Sequence, residues 1–407
     1  MRMDADRSDL QLVVPITEVI RDWIGGQNYI LNLLIVLGML PTERRPRIVI
    51  FNFLRAAPPL LVEHIFACPI VAAVIERDGS ILRADAARTS DFLRADTGRL
   101  ESDDRAALLR LTDATFPTSY WDWAGASLPK SLCWIPDFQH EHLPDMFSAE
   151  ELAGRRKAIG GLSATELPVV FSSRNSLADF TRFYPNHCCR PYVWSFASTL
   201  KPSESADIDP HRRFGLPKGY LYTPNQYWRH KDHSTAIHAI MRLRQAGHNV
   251  SLVLTGPRSD TRSGGYQAEL AALIAEAGPA IIELGVVPRA EQIAIFRHAG
   301  AIIQPSLFEG WSTVVEDARA LGKPMIMSDL AVHVEQAVPG GSFFRRGDPA
   351  SLAEAISRRR AEFELGLDEV RERDAAERQI ARCRAAAEAF VQILSAERDR
   401  RRDPKGF

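Results

Sequence analysis

The stretch of this sequence best suited to chemistry runs from one glutamate, Glu309, to another, Glu316. An apolar run, residues 300–304, leads into Pro305 and Glu309, and residues 314–321 after it, which include Glu316, have helical character. The apolar run is typical of a buried parallel strand that stops at its carboxyl end. The residues between the two glutamates are Gly310, Trp311, Ser312 and Thr313, followed by Val314 and Val315.

The backbone of this stretch predicts an anion-binding site. Gly310 permits a tight turn, and the amides of residues 310–313 have no intrahelical partners at the start of a helix. These amides carry the positive end of the helix dipole, so they favour a phosphate or a similar anion.

The two carboxylates can act on different groups, because Glu309 precedes the helix and Glu316 lies about one turn deeper. An ionised carboxylate offers only acceptors, which suits the hydroxyl groups of a sugar. Taken singly, Glu309 is an ordinary loop residue and Glu316 a helix-start acid favoured by the dipole. The strand, turn and helix around them favour the functional interpretation.

Cations follow another predicted strand, residues 220–223. Arg229 and Lys231 come after it, together with the polar pair Asn225 and Gln226, and a helix is expected over residues 234–245. Open parallel sheets bind ligands beyond the carboxyl ends of their strands, so these cations are candidates to hold a diphosphate. The alternative is that both are solvated surface charges.

The N-terminal half offers two further candidates. Gly25 and Gly26 precede an apolar helix expected at residues 30–40, where they would allow a phosphate or sugar close to the backbone, although an ordinary loop explains them equally well. His140 and His142 follow a predicted strand at residues 132–136 and have acids beside them. A third ligand is not evident, so the sequence favours no metal.

Composition narrows the class of protein. The 407 residues allow two domains, and a net charge of −1 with 45% hydrophobic residues indicates neither disorder nor a nucleic-acid surface. Five scattered cysteines fit a reduced cytosolic setting. The apolar run at residues 29–40 is too short to span a membrane.

An Asp-x-Asp sequence, Asp207 to Asp209, lies in a polar linker and is interpreted as surface charge.

Buried strands alternate with helices in both halves, which predicts an α/β protein with two doubly wound parallel sheets. We expect an N-terminal domain over residues 1–200, a linker over 201–214 and a second domain over 215–375. Residues 376–407 form the remainder of a C-terminal helical stretch and a charged tail. The further predicted strands are residues 12–16, 47–51, 69–75, 168–173, 192–196, 250–256, 281–285 and 325–328.

The paired glutamates resemble the motif of retaining GT-B glycosyltransferases of family 4. The resemblance runs from Glu309 through Glu316 to Gly322 and Pro324. The glutamates are one residue closer than in the usual motif, but Glu316, Gly322 and Pro324 keep their register, so the deletion lies in the loop. The segment from Trp134 to His140 also resembles a branch of this family. The resemblance implies a GT-B fold, in which two Rossmann-like domains face a central cleft.

The resemblance also implies roles for individual residues. Glu309, His140 and Lys231 would be catalytic, with Glu309 on the sugar hydroxyls, His140 on the donor sugar and Lys231 on the diphosphate. Glu316 would bind the ribose. The family places an arginine where Asn225 and Gln226 stand here. The other implied donor-binding residues are Gly310, Trp311, Ser312, Thr313, Arg229, Gly25 and Gly26, and the C-terminal helix would pack back on the first domain.

The implied activity is the transfer of a hexose-type sugar, with retention, from a nucleotide-diphosphate donor to a hydroxyl of a glycan or lipid-linked acceptor. Polysaccharide or glycoconjugate synthesis would use it, without metal, cofactor or nucleic acid. The implied location is cytoplasmic, with peripheral contact to the inner membrane face. Two alternatives stay open: a non-catalytic partner subunit of GT-B fold and a glycoside hydrolase.

Overall fold

The computed structural model describes residues 10–85, 102–119, 128–258, 265–336, 338–363 and 366–403. The chain forms two compact units, each built around its own sheet. The first unit comprises residues 1–136, 153–199 and 381–407, and the second comprises residues 137–152 and 200–380. Residues 137–152, expected in the N-terminal half, thus group with the second unit.

The first unit contains an eight-stranded sheet in the order β4-β3-β2-β1-β5-β6-β7-β8. Neighbouring strands run parallel except for β3 and β4, which pair antiparallel at one edge. The strands are β1 (Gln11–Ile16), β2 (Arg47–Asn52), β3 (Val71–Glu76), β4 (Ile81–Ala84), β5 (Ala114–Ser119), β6 (Ser131–Ile135), β7 (Pro168–Phe171) and β8 (Arg190–Val193).

The second unit contains a six-stranded, fully parallel sheet in the order β11-β10-β9-β12-β13-β14. Counted within the unit this is the 3-2-1-4-5-6 order of a doubly wound Rossmann sheet. Its strands are β9 (Leu221–Thr223), β10 (Leu252–Thr255), β11 (Ile281–Gly285), β12 (Ala301–Gln304), β13 (Met325–Ser328) and β14 (Ser342–Phe344).

Helices connect the strands, as the alternation of patterns predicts. Among the described residues they are α1 (Glu18–Asp22), α2 (Ile24–Gly38), α3 (Leu60–Phe66), α4 (Ser102–Leu111), α5 (Gln139–His142), α6 (Ala149–Ser163), α7 (Arg174–Phe183), α8 (Pro210–Phe214), α9 (His233–Gln245), α10 (Tyr266–Ala277), α11 (Arg289–His298), α12 (Thr313–Ala320), α13 (Ala331–Gln336), α14 (Pro349–Phe363) and α15 (Glu369–Arg402). None of them is long and apolar enough to cross a bilayer.

The predicted α/β fold class is confirmed, and the strands predicted from apolar runs are all present. The structure adds three strands that the sequence did not predict, β4, β5 and β14. β5 is central in its sheet but contains Pro117, and its pairing with β6 shifts register between Thr115 and Thr118. Proline lacks a backbone donor and argues against a central strand, which explains the omission.

The glycine loop predicted at Gly25 and Gly26 is wrong, because α2 already begins at Ile24 and both glycines lie in its first turn. The Trp23 ring packs against them: a Cβ at Gly25 would lie 2.8 Å from Trp23 Nε1, and one at Gly26 would lie 2.5 Å from Trp23 Cε3. Packing against this indole therefore favours glycine at both positions, and their donor-binding role stays a prediction.

The last part of α15 completes the core of the first unit. Phe390 is fully buried, and its ring lies 5.0 Å from that of Phe116 and 5.3 Å from that of Trp194. Trp194 Nε1 donates to the carbonyl of Ala386 at 2.8 Å. Arg190 forms two hydrogen bonds, of 3.0 and 2.8 Å, with the carboxylate of Glu397.

Truncating this aromatic contact tests how far the first unit depends on α15. We expect Phe390→Ala to lower the free energy of unfolding by about 3–5 kcal/mol, because it leaves a cavity in a closely packed core. The measurement is denaturant unfolding followed by circular dichroism. Ile380, 46% exposed on the same helix, provides the control, and its alanine variant should stay within about 0.5 kcal/mol of the parent. Equal losses in both variants would contradict this packing role.

Candidate functional site

The candidate site lies at the point where the strand order of the second unit reverses. β9 and β12 are adjacent and parallel, with Leu221 opposite Ala301. Both strands therefore end on the same edge of the sheet, and their following loops, residues 224–231 and 305–312, start side by side. Such switch points are where doubly wound sheets form ligand-binding crevices.

An ion pair joins these two loops. Lys231 ends a 3-10 turn, Arg229–Lys231, and its Nζ lies 2.7 Å from Oε1 and 2.9 Å from Oε2 of Glu309. Glu309 is only 8% exposed. Its Oε1 also accepts hydrogen bonds from Ser306 Oγ at 2.7 Å and from Gln304 Nε2 at 2.8 Å. The structure thus brings the predicted catalytic pair Glu309 and Lys231 together.

The surroundings of Glu309 keep it ionised. Burial acts to raise its pKa, but the positive charge of Lys231 outweighs burial and lowers the pKa to about 2. At neutral pH the carboxylate therefore accepts hydrogen bonds and holds no proton that it could donate.

The helix predicted after the loop is confirmed: α12 begins at Thr313, with Ser312 as its N-cap. Ser312 Oγ accepts from the amide of Val315 at 3.4 Å. The amide of Ser312 donates to Gln336 Oε1 at 3.1 Å. One of the four amides expected to face an anion is therefore already bonded to a side chain of α13.

Glu316 is fully buried in α12. Gln336 Nε2 lies 3.3 Å from its Oε1, and Arg319 Nη2 lies 3.7 Å from the same oxygen. Gln336 Nε2 also donates to the carbonyl of Ser312 at 3.0 Å. Gln336 therefore ties the second glutamate to the start of the helix, and a ribose would have to take over part of these contacts.

A buried glutamine at the end of β12 connects both loops. Gln304 is fully buried, and its Oε1 accepts from Asn225 Nδ2 at 3.0 Å. Its Nε2 lies 3.1 Å from Ser306 Oγ and 3.3 Å from Ser312 Oγ, in addition to the contact with Glu309. Neither this role nor that of Gln336 was predicted from the sequence. For Gln304 the available signal was an amide at the end of an apolar strand, because buried amides need partners.

His333, which lies on α13, supports the loop of residues 305–312, called the motif loop below. Its Nδ1 lies 2.9 Å from the carbonyl of Ser328, which can only accept, so Nδ1 carries the proton and Nε2 is an acceptor. Ser328 Oγ donates to the carbonyl of Ser306 at 2.7 Å. Burial lowers the pKa of His333, so the imidazole is neutral at pH 7.

The two histidines of residues 139–142 lie in different surroundings. His140 is fully buried beside Phe147, with ring centroids 6.4 Å apart. His142 is exposed, and its ring lies 5.1 Å from that of Phe308, the neighbour of Glu309. The structure therefore places His142, for which the sequence analysis proposed no role, against the motif loop. The catalytic role of His140 stays a prediction.

The remaining predicted residues differ in exposure. Gln226 and Trp311 are half-buried, and Arg229 is exposed. Arg346, for which no role was predicted, donates from Nη1 to the carbonyl of Leu307 at 3.1 Å, so a guanidinium lies at the motif loop. Gly25 and Gly26 belong to the first unit.

The loop after β10 also approaches the loop after β9. Gly256 has a φ of +138°, and a Cβ there would lie 2.3 Å from the carbonyl oxygen of Asn225. A larger residue at this position would therefore displace the backbone that leads to Lys231.

Two α/β units, each built around a largely parallel sheet, match the GT-B fold of glycosyltransferases in solved structures. Anabaena HepE in complex with UDP and glucose is 14% identical with a TM-score of 0.63, and the match covers 95% of this chain and 100% of that chain. Sucrose-phosphate synthase from Thermosynechococcus elongatus is 15% identical with a TM-score of 0.67, covering 95% and 98%. Trehalose 6-phosphate synthase from Burkholderia multivorans is 15% identical with a TM-score of 0.56, covering 96% and 98%.

The sequence itself matches a family model in its second half. Residues 209–360 match the model for glycosyl transferases group 1. This segment contains Lys231, Glu309 and Glu316. No curated protein matches the chain in sequence.

The ion pair generates a prediction about stability. We expect Lys231→Met to cost about 3–5 kcal/mol of unfolding free energy, because it leaves a buried carboxylate without its counter-charge. The double variant with Glu309→Gln should lose less than the sum of the single losses, because the two residues are coupled. Denaturant unfolding at pH 7 measures all three variants. Strict additivity would contradict the coupling.

The same pair predicts a pH dependence. The folded-state pKa of Glu309, about 2, lies below the ordinary value of 4.5, so its stabilising contribution is complete above pH 4.5 and is lost as pH falls towards 2. The difference in unfolding free energy between the parent and Glu309→Gln should therefore shrink over this range. Glu354→Gln, at an exposed pair with Arg358, is the control and should show little change.

Proposed function

We propose that this protein is a retaining glycosyltransferase that moves a hexose-type sugar from a nucleoside diphosphate sugar to a hydroxyl acceptor. The observation that carries the proposal is the Lys231–Glu309 pair at the strand-order reversal of a Rossmann sheet, directly before the start of α12. The group 1 family match over residues 209–360 and the GT-B fold support it.

Lys231 would hold the diphosphate. An ammonium has three donors, and two of those of Lys231 are directed at Glu309, so one is left for a phosphate oxygen. The lysine side chain is 19% exposed and reaches the surface of the second unit. The start of α12 adds positive potential from its dipole, and Arg346 lies at the same loop. These groups would replace the arginine that family 4 places where Asn225 and Gln226 stand.

Glu309 would position the sugar. Three of the four short contacts to its carboxylate converge on Oε1, while Oε2 has one, from Lys231. A carboxylate offers about four lone-pair positions, so Oε2 has capacity to accept from a sugar hydroxyl. Because the carboxylate stays ionised, this acceptor is available throughout the neutral pH range.

The transfer step would be promoted by stabilising the negative charge that develops on the leaving diphosphate. As the bond between the anomeric carbon and the diphosphate oxygen breaks, negative charge grows on the diphosphate, and the acceptor oxygen forms the new bond on the same face. Cations and amides directed at the diphosphate stabilise this transition state more than the ground state. The leaving diphosphate can take the proton of the acceptor hydroxyl, so the scheme needs no side-chain nucleophile.

Glycoside hydrolysis is disfavoured by the state of both glutamates. A hydrolase needs a carboxylic acid of raised pKa and a second carboxylate across one scissile bond. Glu309 has its pKa lowered to about 2, and Glu316 is fully buried. A binding partner without turnover is the second candidate, because Asn225 and Gln226 bring no charge to the diphosphate.

Nucleotide binding tests the proposal. UDP is the first probe, because UDP complexes are known for HepE. Calorimetry should show that Lys231→Met weakens UDP binding at least about tenfold, since a charge-assisted phosphate contact contributes roughly 1.5–3 kcal/mol. Glu354→Gln is the control. Unchanged binding in Lys231→Met, in a parent that binds UDP, would contradict the assignment.

Turnover separates the two glutamates. Glu309→Gln should lower the rate of sugar transfer more than it lowers affinity for the bare nucleotide, whereas Glu316→Gln should weaken nucleotide binding itself. UDP-glucose, GDP-mannose and ADP-glucose are the donors to assay, and NMR of the product gives the anomeric configuration. Inversion at the anomeric carbon would contradict retention, and binding without turnover of any donor would favour the non-catalytic candidate.

A further inference from the structure

Three potential metal ligands meet in the second unit, outside the loops of the candidate site. Asp209 caps α8, His211 lies within α8, and His298 ends α11. One ligand atom from each lies within 4.8 Å of the others. We propose that these three side chains bind a zinc ion that ties α8 to α11.

His211 is prepared to act as a ligand. Its Nδ1 lies 2.9 Å from the carbonyl oxygen of Leu216. A carbonyl can only accept, so Nδ1 carries the proton and Nε2 keeps its lone pair for a metal. Zinc-bound histidines usually donate their second ring nitrogen to a carbonyl or carboxylate in this way, which fixes the orientation of the ring.

Asp209 has one carboxylate oxygen that the helix cap does not use. Its Oδ1 accepts from the amides of His211 at 2.9 Å and Arg212 at 3.4 Å. Its Oδ2 lies outside these amide bonds and 3.8 Å from Arg212 Nε. The Arg212 side chain is 92% exposed, so this contact competes only weakly with a divalent cation.

The donor set and spacing favour zinc. Two imidazoles and one carboxylate match zinc better than calcium or magnesium, which prefer oxygen ligands. Zinc at about 2.0–2.1 Å from each ligand would bring tetrahedral ligand atoms to roughly 3.4 Å apart. Asp209 is exposed and both histidines are half-buried, so side-chain rotation can close this gap and leave the fourth position to water.

The location indicates a structural role. The rings of His211 and Tyr220 lie 6.0 Å apart, and Tyr220 directly precedes β9. The cluster is therefore at the amino end of β9, whereas Lys231 follows its carboxyl end. Zinc would join α8 and α11 here without entering the transfer site, and it would stabilise the second unit by mass action.

Zinc binding by the full-length protein tests this inference. Metal-free protein carrying Cys188→Ser, which removes the exposed thiol, is titrated with zinc chloride by calorimetry, and bound metal is counted after dialysis. We expect one equivalent and a higher Tm with zinc. Asp209→Asn, His211→Asn and His298→Gln should each weaken binding at least about tenfold and abolish the shift in Tm. Asparagine at 209 can still cap α8, and asparagine at 211 keeps a donor near Leu216.

A matched histidine controls for adventitious binding. His238 is exposed on α9 and also directs Nδ1 at a carbonyl, that of Ser234, at 2.8 Å. His238→Asn should bind zinc like the parent. The metal-free variants should melt close to the metal-free parent, which shows that they fold. A parent that takes up no zinc, or cluster variants that bind as tightly as the parent, would overturn the inference, whatever the outcome with UDP.

Discussion

The burial of the Glu309 carboxylate is the constraint on which the candidate site depends. Removing a carboxylate from water costs several kcal/mol, and a single counter-charge offsets this only when the remaining oxygen positions are also satisfied. Lys231 supplies the charge, and Gln304 and Ser306 supply further donors. The loops after β9 and β12 are therefore held together by electrostatics as well as by the chain path.

Two glutamines extend the hydrogen-bond network of the Glu309 carboxylate. Gln304 bonds to Asn225 in one loop and to Ser312 at the helix cap, and Gln336 bonds to both Ser312 and Glu316. Each amide uses both its donor and its acceptor end, so its orientation is determined by its partners. A network of this kind organises a site in advance of ligand binding, because few polar groups are left to reorient.

Much of this arrangement could be predicted from local patterns. The apolar runs predicted the strands, and the strand, turn and helix around Glu309 predicted the start of α12. The strand β5 could not be predicted, because Pro117 argues against a strand and only its neighbours in the sheet stabilise it. The helix start at Gly25 and Gly26 was misplaced because two adjacent glycines are typical of a loop, whereas here the ring of nearby Trp23 packs against them.

The candidate site also has some features that local patterns predict and others that they do not. The pairing of Lys231 with Glu309 follows from two strands that end on one edge of a parallel sheet, which the order of elements implies. The roles of Gln304, Gln336 and His142 depend on side-chain directions and on contacts distant in sequence. The grouping of residues 137–152 with the second unit is likewise a long-range property. A single sequence carries little information about such contacts.

The path of α15 has a consequence for synthesis on the ribosome. The first unit draws Phe390, Ala387 and Leu394, all fully buried, from the last stretch of the chain. Its sheet strands are complete by residue 193, yet these core side chains emerge only after the whole second unit has been made. The core of the first unit is therefore completed only by the last residues to be synthesised, after its own sheet strands and after the whole second unit.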